Sequence, residues 1–398
     1  MRKTRFLLVS LAALMIATSA PAQDIAVKIG VLTDLSGPYA DSAGRGSVLA
    51  AQLAVEDFSK QSQKLKVEVI SADHQNKPDV ASSISRRWLA DGVNAFVDIA
   101  GSSSAFAVHE LLRNANALAL MSSAASSDLT GKACSPHSIH WTYDTWMLAN
   151  GTGRAIVQAG GDSWFFISPD YTFGHILEAE TAAVVKANGG RVLGAVKHPF
   201  PGRDFSSFIL QAQASRAKVI AFSNSGHDMI NAVRQWREFN GTQSAQSVAA
   251  IMLNIHDVHS LGLNASQGLM FASVFDWNLN EGTRKWSTRF EAKMGMKPSM
   301  MQAGAYSAVL HYLKAIEAAG TTNADAVAAK MKELPTDDAL FGKGQVRADG
   351  RKIHDAYLFR VKKPADSKGP WDYFEVVSRI PASQAFRPLE QGGCPLVK

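Results

Sequence analysis

The residues best suited to chemistry in this chain are small hydroxyls gathered at two places. Gly101-Ser102-Ser103-Ser104 stands between an apolar run and an amphipathic one, and Ser122-Ser123-Ala124-Ala125-Ser126-Ser127 follows the next apolar run. Serines at a helix start satisfy some of its free N–H groups and leave others aimed outward. That arrangement receives a carboxylate without lysine or arginine. Capping alone would account for one such motif. Two of them at neighbouring strand ends make a floor for an anion.

Later segments offer walls for the same site. Asp170-Tyr171-Thr172-Phe173-Gly174 supplies aromatic surface with a polar edge, and Ser223-Asn224-Ser225-Gly226 is another polar strand end. Asp257, within Asn254–His259, is the acid placed to meet a ligand's ammonium or hydroxyl, with His256 as a weaker donor. Asp257 reads equally as a helix cap.

Catalytic constellations are missing from the sequence. The serines lack the G-x-S-x-G elbow of α/β-hydrolases. Gly151-Thr152-Gly153 has neither the preceding strand nor the third glycine of a dinucleotide fingerprint. Glu178 and Glu180 are expected on a solvated helix face, and His109, the nearest base for a serine hydrolase, is expected to be exposed or packed. Cys134, His137 and His140 have metal-like spacing without a fourth ligand, and His256 with His259 lacks a third. No metal and no cofactor is expected, and no enzyme. Cys134 and Cys394 are the only cysteines; in an oxidising compartment their simplest use is one disulfide.

The elements that must position these residues alternate. Strands are expected over 27–32, 66–72, 95–100 and 117–121, with helices over 46–59, 78–91 and 105–116. After Trp141 the pattern resumes, with strands over 163–167, 191–197, 219–223 and 248–252. Helices lie over 145–159, 174–187, 205–213 and 228–239. Three helices follow at 283–294, 302–319 and 324–334, then a hairpin of 357–361 and 373–378. Such alternation in two blocks predicts an α/β chain of two parallel sheets covered by helices, each binding at the carboxyl ends of its strands. A chain of 398 residues exceeds what one core usually fills, so two lobes are expected.

The amino-terminal residues indicate the compartment. Arg2, Lys3 and Arg5 precede an apolar run over 6–17, which ends in Ala20-Pro21-Ala22. That is the order of a secretory signal peptide, cleaved after Ala22. Its removal takes three of the six net positive charges and no acid. Nothing in the charge pattern then points to nucleic acid. No other apolar stretch reaches the roughly 18–20 residues of a membrane span.

Taken together, KIGVLTDLSGPYA (28–40), GSSSA (101–105), LMSSAASSDLT (120–130), DYTFG (170–174) and Arg203-Asp204-Phe205-Ser206 resemble the periplasmic solute-binding proteins of the branched-chain amino acid type. The resemblance covers nearly all of the chain after residue 22. It implies a type I periplasmic-binding fold, with two doubly wound lobes joined by a three-segment hinge. The chain would cross near 142–146, 274–278 and 345–355. One lobe would comprise 23–143 with 276–350, and the other 144–275 with 351–398. It further implies a monomer that closes on its ligand and delivers it to an ABC transporter permease. A ligand-sensing receptor of the same fold is the alternative. In the family, carboxylate-holding roles map onto Ser102 or Ser103, and onto Ala124 and Ser126. Ser42 or Tyr39 would approach from the first loop, and Tyr171 or Phe173 would cover the ligand. Asn224-Ser225-Gly226 replaces a family tyrosine, and Asp257 lies only near the position of the family's ammonium-binding glutamate. The stretch 255–259 and Gly369-Pro370-Trp371-Asp372-Tyr373 resemble a branch also associated with aromatic acids.

Overall fold

The computed structural model describes residues 24–241 and 244–397, so the leader and its cleavage site lie outside the described residues. The first block forms strands β1 (Ile25–Thr33), β2 (Leu65–Asp73), β3 (Ala95–Asp98), β4 (Leu118–Met121) and β5 (Ser138–His140). They build one parallel sheet in the order β2-β1-β3-β4-β5. Helices α1 (Gly44–Ser59), α2 (Pro78–Ala90) and α3 (Ser102–Leu112) make the crossovers. Strands β3 and β4 are buried at every residue, which is why they read as unbroken apolar runs.

The second block begins with α4 (Thr145–Leu148) and α5 (Arg154–Gln158), separated by a π-helical turn at Ala149–Gly153. The expected helix over 145–159 is therefore interrupted where Asn150-Gly151-Thr152-Gly153 offers poor helix formers. Strands β6 (Ser163–Pro169), β7 (Arg191–His198), β8 (Val219–Phe222) and β9 (Ser247–Ala250) follow, with α6 (Thr172–Ala187), α7 (Ser206–Ala214) and α8 (His227–Asn240) between them. The sheet is parallel, in the order β7-β6-β8-β9. Beyond α9 (Ile255–Leu261) and α10 (Leu263–Ser266), β10 (Met270–Ser273) pairs antiparallel with a later strand of the chain.

Three further helices, α11 (Glu281–Met294), α12 (Met300–Ala319) and α13 (Ala324–Glu333), return to the first block. Helix α12 is buried along almost its whole length and packs on α1. Its start is a capping box. Ser299 accepts from Gln302 N at 3.2 Å, and the Gln302 side chain accepts from Ser299 N at 3.0 Å. The Gln302 amide also donates to the carbonyls of Asp41 and Ala43, at 3.0 and 3.1 Å, which ties the helix to the loop after β1.

Short strands β11 (Thr336–Asp338), β12 (Gly342–Val346) and β13 (Lys352–Ile353) form a small sheet, and β14 (Ala356–Val361) with β15 (Phe374–Ile380) makes the expected hairpin beside β10. The segment entering β13 runs along the one leaving β5. Buried Arg351 donates to the carbonyl of Tyr143 at 3.0 Å, and His354 Nε2 meets the carbonyl of Thr142 at 2.9 Å. Cys134 and Cys394 are bonded, with Cα atoms 5.6 Å apart. The bond takes Cys134 out of the metal-like trio. No helix among the described residues is long and apolar enough to cross a membrane.

Candidate functional site

Carboxyl ends of both parallel sheets face one another. On the first sheet, the loop after β1 is shaped by Asp34, whose carboxylate accepts from Gly37 N at 2.7 Å and Tyr39 N at 3.0 Å. This holds Tyr39 toward the second sheet, where its hydroxyl is hydrogen-bonded to that of Tyr171. Tyr171 in turn stacks on Phe200, with ring centroids 4.3 Å apart. Ser103 Oγ donates to Thr172 Oγ1 at 3.1 Å, Ser127 Oγ to Glu180 at 2.5 Å, and His227 lies 3.5 Å from Asp41. The cleft is closed.

Beneath these contacts lies a narrow pocket lined by Tyr39, Ala43, Ala100, Ser102, Ser123, Ala125, Tyr143, Phe173, Met252 and Met301. Its wall is apolar with a few hydroxyls, and neither an acid nor a base is among those residues. A small organic ligand suits such a lining.

Helix α3 starts at Ser102, three residues before the expected 105–116, because β3 ends early at Asp98. The serines thus form the first turn of the helix. Gly101 precedes it at φ +82°, and no side chain caps the first turn. A Cβ on Gly101 would lie 2.0 Å from Asn76 Oδ1, so only glycine fits. The uncapped N–H groups carry the positive end of the helix dipole. Ser102 Oγ accepts from Ser126 N at 3.2 Å, which leaves its own hydrogen for the pocket.

Behind the pocket, fully buried Asp98 gathers the second serine cluster. Its Oδ1 accepts from Ser122 Oγ at 2.8 Å and from Ser123 Oγ, and its Oδ2 from Thr33 Oγ1 at 2.6 Å. Burial pushes this carboxyl above the usual range, against the pull of the three hydroxyls.

The residues singled out in the sequence are distributed unevenly around this pocket. Ser102, Phe173 and Tyr39 line it. Ser103 and Tyr171 lie at its lip, in contacts across the cleft. Ser126 stands behind Ser102 and accepts from Asp128 N at 3.3 Å. The carbonyl of Ala124 is taken by His140 Nε2 at 2.8 Å, and its neighbour Ala125 reaches the pocket. Ser42 is buried, with its hydroxyl on Tyr39 O at 3.4 Å, while Ala43 lines the wall. Asn224 turns its amide to His198 Nε2 at 2.8 Å and leaves Oδ1 without a partner. Asp257 accepts from Asn254 N at 2.9 Å, as the third residue of a capping box; burial pushes its carboxyl up to about 7. His256 bonds the carbonyl of Lys297 at 2.9 Å.

One expectation needs correction, and that for His109 holds. Glu180 is no solvated surface acid: it is held against Ser127, 3.9 Å from Arg387, and burial raises it to about 7. His109 is tied to Ser138 Oγ at 2.7 Å and to the carbonyl of Ala133 at 2.6 Å, so both ring nitrogens are engaged away from Ser102. Sequence reasoning missed Tyr143, Met252 and Met301, which come from three distant segments and carry no local signal.

Over residues 26–369 the chain matches the family described as periplasmic binding protein. It is similar to a periplasmic binding protein from Burkholderia mallei, with 45% identity, a TM-score of 0.91, and coverage of 94% of this chain and 99% of that one. A branched-chain amino acid ABC transporter periplasmic ligand-binding protein from Burkholderia xenovorans is 41% identical, with a TM-score of 0.84 and coverage of 94% and 100%. Leu/Ile/Val-binding protein homolog 6 of Brucella melitensis is 26% identical over 373 residues, 90% of this chain and 93% of the relative. With the family match spanning most of the chain, and two parallel sheets closing on one apolar pocket, this protein belongs to the periplasmic binding proteins.

Proposed function

We propose that this chain is the exported, non-enzymatic binding component of an ABC importer, and that it takes a small carboxylate into the closed pocket and hands it to the permease. The ligand is a branched-chain amino acid or a related small carboxylate, aromatic acids included. Residues 23–143 with 276–350 act as one lobe and 144–275 with 351–398 as the other. The chain works in the periplasm as a monomer, after cleavage at Ala22.

The observation that carries this reading is the uncapped start of α3 at an apolar pocket, with Ser102 lining it. An anionic group is stabilised there by N–H donors and the helix dipole. The apolar body of the ligand then lies against Phe173, Met252 and Met301, and Tyr39 with Tyr171 closes over it. The name of the Burkholderia xenovorans relative supports an amino acid cargo.

A thermal-shift screen of amino acids, benzoates, hydroxycinnamates and amides tests the proposal. A bound carboxylate raises the melting temperature by mass action, and calorimetry on the hit gives its affinity with no turnover. A hit confined to neutral amides, or steady consumption of the compound, contradicts it.

A further inference from the structure

We propose that Asp98 sets the hydrogen-bonding polarity of the pocket: it takes the hydroxyl hydrogen of Ser123, turns that serine's lone pairs toward the ligand, and so selects carboxylates that also carry a hydroxyl or amino donor. This rests on the small-carboxylate reading above and adds the chemistry at the ligand's second end.

A hydroxyl owns one hydrogen and can accept more than one. Oδ1 of Asp98 receives both Ser122 and Ser123. With Oδ2 accepting from Thr33 and Oδ1 from both serines, the Ser123 hydrogen is spent. Ser123 therefore meets the pocket as an acceptor. Tyr143 behaves likewise, because its hydrogen goes to the carbonyl of Ser123 at 3.0 Å. Ser102 is the opposite case, accepting from Ser126 N and keeping its hydrogen for the ligand. Among the hydroxyls with a settled direction, the wall thus holds one donor beside the α3 N–H groups, and two acceptors.

A plain carboxylate satisfies the donor side and leaves Ser123 and Tyr143 facing hydrocarbon. A buried acceptor without a partner is costly. A 2-hydroxy or 2-amino carboxylate satisfies both sides. The backbone is held to this purpose. Asp98 and Ile99 sit at φ +76° and +52°, and Ile99 is β-branched, a residue type that avoids this region. Ser122 N and Ser123 N brace the turn by donating to the carbonyl of Asp98, at 3.3 and 3.2 Å. Strain kept in place by neighbouring bonds is common where a side chain must be aimed. Asp98 lines no part of the pocket and acts as a positioning residue.

The test is calorimetry with two matched series: 4-methylpentanoate, its 2-hydroxy analogue and leucine, then phenylacetate, mandelate and phenylglycine. Wild-type protein is expected to bind a hydroxy or amino member at least about tenfold tighter than the plain acid, a gap of about 1.4 kcal/mol. Which of the two wins tells a hydroxyl from an ammonium. Ser123→Ala and Asp98→Ala should each shrink that ratio to within about threefold. Ser122→Ala, whose hydroxyl also meets Asp98 but does not line the pocket, should leave the ratio intact. If Asp98→Ala fails to fold, Ser123→Ala decides alone. An equal ratio in wild type and Ser123→Ala overturns the inference and leaves the carboxylate reading standing. Binding by none of the six overturns the carboxylate reading, and the inference with it.

Discussion

Tyr39 and Tyr171 share a hydrogen bond between their hydroxyls, one carried by the loop after β1 and the other by the residue before α6. Loops from the two parallel sheets therefore meet over the pocket, and Phe200 backs the pair by stacking on Tyr171. The contact exists only when the cleft is closed. It links ligand affinity to closure, since ligand and latch favour the same state.

Tyr39→Phe and Tyr171→Phe should each weaken ligand binding by about 1 kcal/mol, the usual worth of one hydrogen bond. Because the two hydroxyls act as a pair, the double variant should lose little more than either single one. Calorimetry on the three variants checks this; additive losses would separate the residues.

A second contact across the cleft makes closure depend on pH. The bond to Asp41 raises the His227 pKa, and His227 lowers that of Asp41. The pair is at full strength when His227 is protonated, below its ordinary value near 6.5. It fades as pH rises through the raised value. Both groups are largely solvent-exposed, so the effect is small. Ligand affinity should fall by less than about threefold between pH 6 and 8, and His227→Gln should flatten the profile.

Glu180 has the opposite character. Burial raises it to about 7, so folding prefers the neutral acid, and stability is lost as pH rises from the unfolded value near 4.5 through 7. Glu180→Gln keeps an acceptor for Ser127 Oγ and carries no charge to bury. Its melting temperature should exceed that of the wild type at pH 8 and match it near pH 4.5. A gain of equal size at both pH values would refute the assignment.

The Cys134–Cys394 bond closes a loop across 260 positions of the chain. Cys134→Ser with Cys394→Ser should cost roughly 2–4 kcal/mol of stability, read by chemical denaturation. Neither cysteine lines the pocket, so ligand affinity should hold.

How much of this could be read beforehand differs by element. The strands and crossover helices were legible because buried parallel strands are apolar throughout and their helices carry a stripe. The GSSSA stretch pointed to the start of α3. Yet which serine faces the pocket depends on helix phase, about 100° per residue, and an early end to β3 moved that phase. Asn224 belongs to a polar strand end expected to wall the site, and nothing local reveals His198, which comes from the end of β7 and occupies its amide. Ser122 and Ser123 looked like open hydroxyls, although Asp98 at the end of the adjacent strand claims both. Tyr143, Met252 and Met301 meet only through folding, so no spacing rule links them.

The experiment that decides most is a crystal structure with the tightest-binding carboxylate from the screen. The acid group should lie within hydrogen-bonding distance of Ser102 Oγ and the first N–H groups of α3, with its apolar body against Phe173. An acid group bound elsewhere in the cleft, with the α3 start left to water, would contradict the mechanism described above.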